Sequence, residues 1–318
     1  MLFYKWAGYR RFFKYGRPVL NLIEQRLVKK NSAQQNKFPI IFLIGCPRSG
    51  TTFLYQYITH FLDVAFINNF MNLSRENPVL GFYLSGKILG NNPHGSFESE
   101  FGDTSGSGLR APNESLFWYK WLPTDKHYIE PSGLSREQKK EISSVVSSLI
   151  NIAEKPLVIK NLSFSLRLKL IKDLFPSSKI IYIKRDPVYI AQSIFLARKK
   201  MSIPPNKIWS IKPQNYPEIE PMNELDLIVN QVYSIEKQIN KDMALFDENK
   251  AMALMYEEFD PHSGKFIDTL SSFIGIGTRD GAKGIENVQF KPGNFRKVDK
   301  NLFDQIKEKI GSMNWDFN

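Results

Sequence analysis

Between Gly45 and Leu54 the chain reads GCPRSGTTFL, a stretch dense in groups that bind anions. Gly45 and Gly50 have the spacing of a GxxxxGK phosphate loop followed by serine or threonine, in which backbone N–H groups and a helix N-terminus cradle a phosphate. Thr51 stands where that motif has its lysine. In nucleotide triphosphatases the lysine and the next hydroxyl serve the β- and γ-phosphates and magnesium, so its loss argues against a triphosphate ligand. What remains suits a smaller anion: Arg48 supplies charge, while Ser49, Thr51 and Thr52 supply hydroxyls beside free amides. A chance glycine-rich turn is the plain alternative, and the placement of the six residues at a strand-to-helix junction speaks against it. Cys46 reads as a small buried residue of this loop.

A second group of the same kind lies in KIIYIKRDPVYIAQSIF, Lys179 to Phe195. Arg185 falls at the carboxyl end of a strand, Pro187 opens the next helix, and Ser193 comes eight residues after the arginine on that helix. A ligand with two phosphates needs a second cationic site on a neighbouring strand end of the same sheet, which is where Arg185 falls. Asp186 suits a helix cap or a partner for a base. Alone, arginine-aspartate-proline after a strand is a common helix start; two anchors in order, far apart in sequence, carry more weight.

At PRSGTT (Pro47 to Thr52) and at Arg185 with Ser193 the sequence resembles the sulfotransferase superfamily, over a span from Phe38 to about Gly275. The PRSGTT form is more similar to the bacterial and secretory-pathway carbohydrate or tyrosyl branch than to the cytosolic small-phenol branch, which usually has lysine where Arg48 stands. The resemblance implies 3′-phosphoadenosine 5′-phosphosulfate as donor. It implies that Pro47, Arg48, Ser49, Gly50, Thr51 and Thr52 hold the 5′-phosphosulfate and that Arg185 and Ser193 hold the 3′-phosphate. Near the C-terminus KPGNFRKVDK places Phe295, Arg296 and Lys297 in a basic loop, which in the superfamily often closes over the nucleotide. The family's glycine-rich pattern is poorly matched there, and a solvated charge run is the equal alternative.

Sulfuryl transfer is an in-line displacement at sulfur, so it requires a base for the acceptor hydroxyl and a cation for the leaving phosphate oxygen. Glu114 in APNESLFW is the first choice of base, because related sequences carry a similar proline-x-glutamate segment followed by aromatics; a helix-start glutamate is the alternative. His94, Glu98, Glu100 and Asp103 compete with it. Arg48 and Lys160 are the expected cations, Lys160 at the strand end in VIKN, unless it simply faces water. Trp118, Tyr119 and Trp121 suit either an acceptor site or core packing. Histidines at 60, 94, 127 and 262 are scattered, so no metal site is expected.

The elements that must position these groups follow from hydrophobic pattern. Phe38 to Ile44 reads as a strand buried on both faces, and paired apolar residues from Thr51 give a helix. Residues 63–134 read as an irregular insertion that shapes the acceptor site. A capping box at Ser135 and Gln138 opens a helix to about Ile152, and a strand follows over Leu157 to Lys160. Then come a helix over Leu166 to Phe175, a strand over Lys179 to Lys184, and the helix begun by Pro187. Further helices span about Met222 to Glu248, Gly264 to Ile274 and the residues after Asp299, with a strand at Ala251 to Tyr256. The alternation predicts an α/β fold: three layers, α/β/α, around a central parallel sheet of the phosphate-loop NTPase kind with a helical and loop insertion.

The chain has 318 residues and a formal charge of +11, enough for one decorated domain over 38–318 preceded by a basic segment, 1–37. In that segment either Trp6, Phe12 and Phe13 enter lipid while Arg10, Arg11 and Lys14 meet head groups, or the helix packs on the domain. No apolar run approaches the roughly 18 to 20 residues of a membrane span, and a single cysteine forms no internal disulfide, so a cytoplasmic or membrane-peripheral protein is expected. The acceptor is open, with a carbohydrate or lipid-linked hydroxyl favoured and nucleic acid not expected as a partner. Two other readings stand beside sulfuryl transfer: a nucleotide kinase-like enzyme with a degenerate loop, and a non-catalytic anion or nucleic-acid binding module.

Overall fold

The computed structural model describes residues 17–90, 93, 94, 97, 99, 100, 103, 104, 108–114, 116–282, 284, 288, 290 and 292–317. Its strands are β1 (Ile40–Gly45), β2 (Ala65–Phe66), β3 (Ser99–Glu100), β4 (Asp103–Thr104), β5 (Leu157–Ile159), β6 (Lys179–Lys184) and β7 (Ala251–Met255). Five of them form one parallel sheet in the order β2-β5-β1-β6-β7, and β3 with β4 makes a separate antiparallel pair. Every residue of β1 is buried, as its unbroken apolar run requires of a central strand. Ile40, Phe42 and Ile44 enter one core, and Ile41 and Leu43 enter the other, because successive side chains point to opposite faces.

The helices are α1 (Arg17–Ser32), α2 (Thr51–Phe61), α3 (Asn69–Leu73), α4 (Pro78–Leu89), α5 (Arg136–Ala153), α6 (Leu168–Leu174), α7 (Pro187–Lys200), α8 (Tyr216–Ile219), α9 (Glu224–Met243), α10 (Gly264–Ile274) and α11 (Lys300–Gly311). Buried residues of α5, α6, α7, α9 and α11 cover one face of the sheet, and those of α2 and α10 cover the other. The result is the expected three-layer α/β/α architecture. Local chemistry sets the helix starts. Ser135 and Gln138 close a full capping box at α5, Asp186 accepts the Val188 N–H at 2.8 Å to open α7, and Asp299 does the same for α11.

Two departures from the sequence reading have physical causes. Residues 63–134 are less irregular than expected: Ala65–Phe66 joins the main sheet as its edge strand, and α3 and α4 follow. Helix α4, PVLGFYLSGKIL, is apolar nearly all round, so it lacks the one-sided periodicity that reveals a surface helix. Its Gly81 is required, since a Cβ there would lie 1.7 Å from Ser74 Oγ. The helix expected over Leu166 to Phe175 forms as α6, Leu168–Leu174, its start set back by a 3-10 turn, Leu162–Leu166, with Arg167 between the two. The Arg167 guanidinium is buried and donates to the carbonyls of Pro123, Lys126 and His127, which fixes that start.

The chain leaves β1 for β2 on one side and later crosses to β6 and β7 on the other, so the direction of winding reverses between β1 and β6. Their carboxyl ends therefore open a crevice of the kind in which α/β sheets hold ligands. Helix α1 lies against α5 and α4. Its buried Glu24 accepts the Val79 and Leu80 N–H groups at 3.0 and 2.7 Å, supplying a carboxylate to the uncapped start of α4. Trp6, Arg10, Arg11, Phe12, Phe13 and Lys14 lie outside the described residues. Among the described residues no helix is long and apolar enough to cross a membrane.

Replacing Glu24 strands two N–H groups at a buried helix start. Glu24→Ala is expected to destabilise the fold by about 1–3 kcal/mol, read by chemical denaturation. A loss near zero would mean that α1 is not anchored through this contact.

Candidate active site

The loop after β1 is shaped by two residues with left-handed backbone, Arg48 (φ 71°) and Gly50 (φ 104°). Gly50 is the N-cap of α2 and offers no side chain to its first amides, which leaves those N–H groups facing the crevice. Glycine is needed there twice over, since a Cβ would also meet the Tyr256 ring at 2.6 Å. At Gly45 a Cβ would meet Ser49 Oγ at 2.5 Å and the Ile183 carbonyl at 2.8 Å. Ser165 fastens the start of the loop: its hydroxyl accepts the Gly45 N–H at 3.0 Å and donates to the Gly45 carbonyl at 2.9 Å. Pro47 and Thr51 are buried, Thr52 is half-buried, and Ser49 Oγ is fully buried with no hydrogen-bond partner among the described residues. An orphaned hydroxyl inside a cradle of free amides fits a loop built for an oxyanion.

The cations converge on this loop. Arg185, just beyond β6, donates from Nη1 to the Arg48 carbonyl at 2.7 Å and from Nε to Asn294 Oδ1 at 2.8 Å. Its guanidinium stacks 4.3 Å from the centre of the Tyr256 ring. Arg48 donates from Nε to Ser193 Oγ at 3.0 Å. Burial and then the Arg185 charge pull the Arg48 pKa below its ordinary value; burial, then Arg185 and Arg48, do the same to Lys297. Arg185 thus lowers both Arg48 and Lys297, while Tyr256, Glu257 and Asp186 favour its own charge; the three cations make a positive pocket suited to a polyanion.

Residues Arg48, Arg185, Ser193 and Lys297 are thus brought together, with the loop around Ser49 within one nucleotide's reach of Arg185. The segment bearing Lys297 is held by Gln192, whose amide donates to the Phe295 carbonyl at 3.0 Å and accepts the Lys297 N–H at 2.7 Å. A Cβ on Gly293 would come 2.9 Å from Arg185 Nη2, so the strap lies directly on the arginine. Phe295, Arg296 and Lys297 are all exposed, and Lys297 Nζ lies 4.6 Å from the centre of the Phe295 ring.

Two carboxyls are buried behind the crevice. Glu114 accepts the Lys160 backbone N–H at 2.7 Å and the Trp118 indole N–H at 2.9 Å, and it also meets the Tyr55 hydroxyl. Burial raises its pKa to about 7 against those bonds. Lys160 stands half-buried just past β5, beside Glu114. Glu236, on α9, accepts the Tyr182 hydroxyl and faces the Cys46 N–H at the root of the loop; burial raises its pKa to about 7 as well. Cys46 itself is buried, and burial raises its thiol pKa.

His94 is not gathered here. Its ring meets Thr59 Oγ1 at 3.0 Å and the Gln56 carbonyl at 3.2 Å among aromatic neighbours, about 12 Å along α2 from the loop. Glu98 and the side chains of Glu100 and Asp103 lie outside the described residues. Trp118 and Trp121 are core residues, packed with Phe117 and Phe164, and Tyr119 is exposed. Sequence reasoning missed Tyr256, Ser165, Gln192, Asn294 and Glu236. Only Tyr256 carried a usable signal, as the residue just past β7, level with Arg185 just past the neighbouring β6.

A family model described as the sulfotransferase family matches residues 39–280. Among solved structures, sulfotransferase STF1 from Mycobacterium tuberculosis aligns with a TM-score of 0.50 at 16% identity, over 95% of this chain and 85% of that one. Sulfotransferase STF9 from Mycobacterium avium aligns at 0.47 and 14%, over 82% and 73%. A sulfotransferase from Alicyclobacillus acidocaldarius aligns at 0.44 and 13%, over 86% and 91%. At these identities the likeness is one of fold. No curated protein matches the chain.

The two raised carboxyls tie stability to pH. Each ionises near 4.5 when unfolded and about 7 when folded, so the folded chain holds more protons between those values. Their contribution is complete below the lower value and is lost as pH rises through the upper. The thermal midpoint is expected to fall between about pH 5 and pH 8, and Glu236→Gln, a neutral mimic, should flatten that slope. An unchanged slope in the variant would remove Glu236 from the account.

Proposed function

The chain belongs to the sulfotransferase family, and from that premise we propose that it moves a sulfuryl group from 3′-phosphoadenosine 5′-phosphosulfate to an acceptor hydroxyl. It is an enzyme of sulfuryl transfer; the donor, the acceptor and the residue roles are the proposal. The observation that carries it is the convergence of Arg48, Arg185, Ser193 and Lys297 on a phosphate loop that lacks the lysine of triphosphate enzymes.

In this reading the amides of Gly50 to Thr52, with the Ser49 and Thr52 hydroxyls, hold the 5′ end of the donor. Arg185 and Ser193 hold the 3′-phosphate, and the strap bearing Lys297 lies over both. The donor supplies the activated sulfur. The acceptor oxygen forms the new O–S bond as the bond between sulfur and the bridging phosphate oxygen breaks in line, and the acceptor proton passes to Glu114. A carboxylate has about four lone-pair sites and three of those of Glu114 are engaged, which leaves one for an acceptor hydroxyl. A pKa near 7 suits a base working near neutrality. Arg48 and Lys160 neutralise the charge that builds on the leaving oxygen.

The segment 63–134 shapes the acceptor side, residues 1–37 form a basic N-terminal part, and a carbohydrate or lipid-linked hydroxyl is the favoured acceptor. Peripheral membrane contact through the N-terminus and a cytoplasmic site of action belong to the same proposal. The absent loop lysine disfavours the kinase-like reading, and the family match disfavours the non-catalytic one.

Adenosine 3′,5′-bisphosphate at a hundredfold excess over its Kd is expected to stabilise the protein by about 2.7 kcal/mol, whereas ATP with magnesium does little. Arg48→Ala and Arg185→Ala should each lose that shift, and a retained shift removes those residues from donor binding. Glu114→Gln is expected to keep the shift and to lower kcat by roughly 10²–10⁴. Full activity in that variant would leave Glu114 as a tie between β5, α2 and Trp118 and move the base elsewhere.

A further inference from the structure

Along the outer edge of β2 lies a cavity of about 320 Å³ that none of the roles above uses. Its lining includes four cations, Lys87, Arg110, Lys155 and Arg279, and no carboxylate among the described residues. They come from separate parts of the chain: α4, the turn at Gly108–Arg110, the link from α5 to β5, and the segment after α10. Asp63, outside the lining, meets Lys155 at 2.5 Å and Arg279 at 4.0 Å, so one acid pairs with two of the four cations. Arg279 is buried, donates to the Val64 carbonyl at 2.7 Å, and lies over Phe66. Arg110 is fixed by a bond to the Leu89 carbonyl. Between the cations the walls are apolar, with Phe66, Phe82 and Ile152.

A basic rim on a chain of net charge +11 needs no ligand. Convergence of cations from four segments on a concave, half-apolar space is different, because it concentrates positive potential where solvent is restricted. One end of the cavity is near the proposed chemistry. Phe66 pairs with Val158, two residues before Lys160, and Asn68, another lining residue, pairs with Pro112, two residues before Glu114. Two residues of extended chain span roughly 7 Å, so the Asn68 end of the cavity lies near the proposed base, while Lys155 and Arg279 stand at the amino ends of β5 and β2.

We propose that this cavity is an acceptor subsite and that the acceptor carries an anionic group, a carboxylate, sulfate or phosphate, set beside an apolar part of its skeleton. The inference rests on the sulfuryl-transfer reading for the neighbouring hydroxyl, and it narrows the acceptor to one that is already acidic. Such an anion can come from an acidic sugar or from a lipid-like acid, and both present the same chemistry to the cavity.

The test uses the full chain and the double variant Lys87→Ala/Arg110→Ala, both residues lying on the insertion and away from the phosphate loop. Binding of glucuronate, glucose, octanoate and octanol is measured by calorimetry, with adenosine 3′,5′-bisphosphate present. Glucuronate or octanoate is expected to bind while its neutral counterpart does not, and the double variant should weaken that binding about tenfold or more. Binding by glucuronate alone identifies an acidic sugar, and by octanoate alone a lipid-like acid; either supports the subsite. Binding by neither acid, or equal binding in the double variant, overturns it. The bisphosphate shift is read in both proteins: its loss in the wild type would sink the sulfuryl-transfer reading separately, and its retention in the variant shows that the fold is intact.

Discussion

The guanidinium of Arg185 reaches from the end of β6 to the carbonyl of Arg48, and the shape of the anion loop depends on that bond. In a trans peptide the C=O and the next N–H point opposite ways, so holding the Arg48 carbonyl outward turns the Ser49 N–H inward, onto the Cys46 carbonyl at 3.1 Å. The left-handed backbone at Arg48 and Gly50 is the local strain that this arrangement requires. One side chain thereby joins two adjacent strand ends at the point where the sheet reverses its winding.

Around that contact charge is arranged by depth. Cations stand in the crevice, while Glu114 and Glu236 lie behind it, where burial favours their uncharged forms. An ionised Glu236 beneath the loop would oppose an incoming anion; as a neutral carboxyl it still accepts the Tyr182 hydroxyl. Position in the core is thus also a way of setting charge near the site.

The parts of the fold that were legible in the sequence are those in which one residue type has one geometric use. The unbroken run of β1, the proline that opens α7 and the serine-glutamine pair that opens α5 were all readable, because each encodes its own neighbourhood. Helix α4 was not, since an element with apolar residues on nearly every side shows no period. The site divides in the same way. Arg48 and Arg185 sit at strand ends and announce themselves, whereas Gln192, Asn294, Ser165 and Glu236 act through contacts between distant segments that no local pattern records. The aromatic run at Trp118 and Trp121 shows the opposite hazard, being conspicuous in sequence and plain core in space.

The lowering of Arg48 by burial and Arg185, and of Lys297 by burial and both arginines, bears on turnover. On the proposed mechanism the spent nucleotide keeps both phosphates, and with them the charge that quiets the repulsion among those side chains. Departure re-creates the uncomfortable vacant pocket, so affinity that assembles the complex also delays its disassembly, and such uniform grip hastens capture without hastening the chemical event.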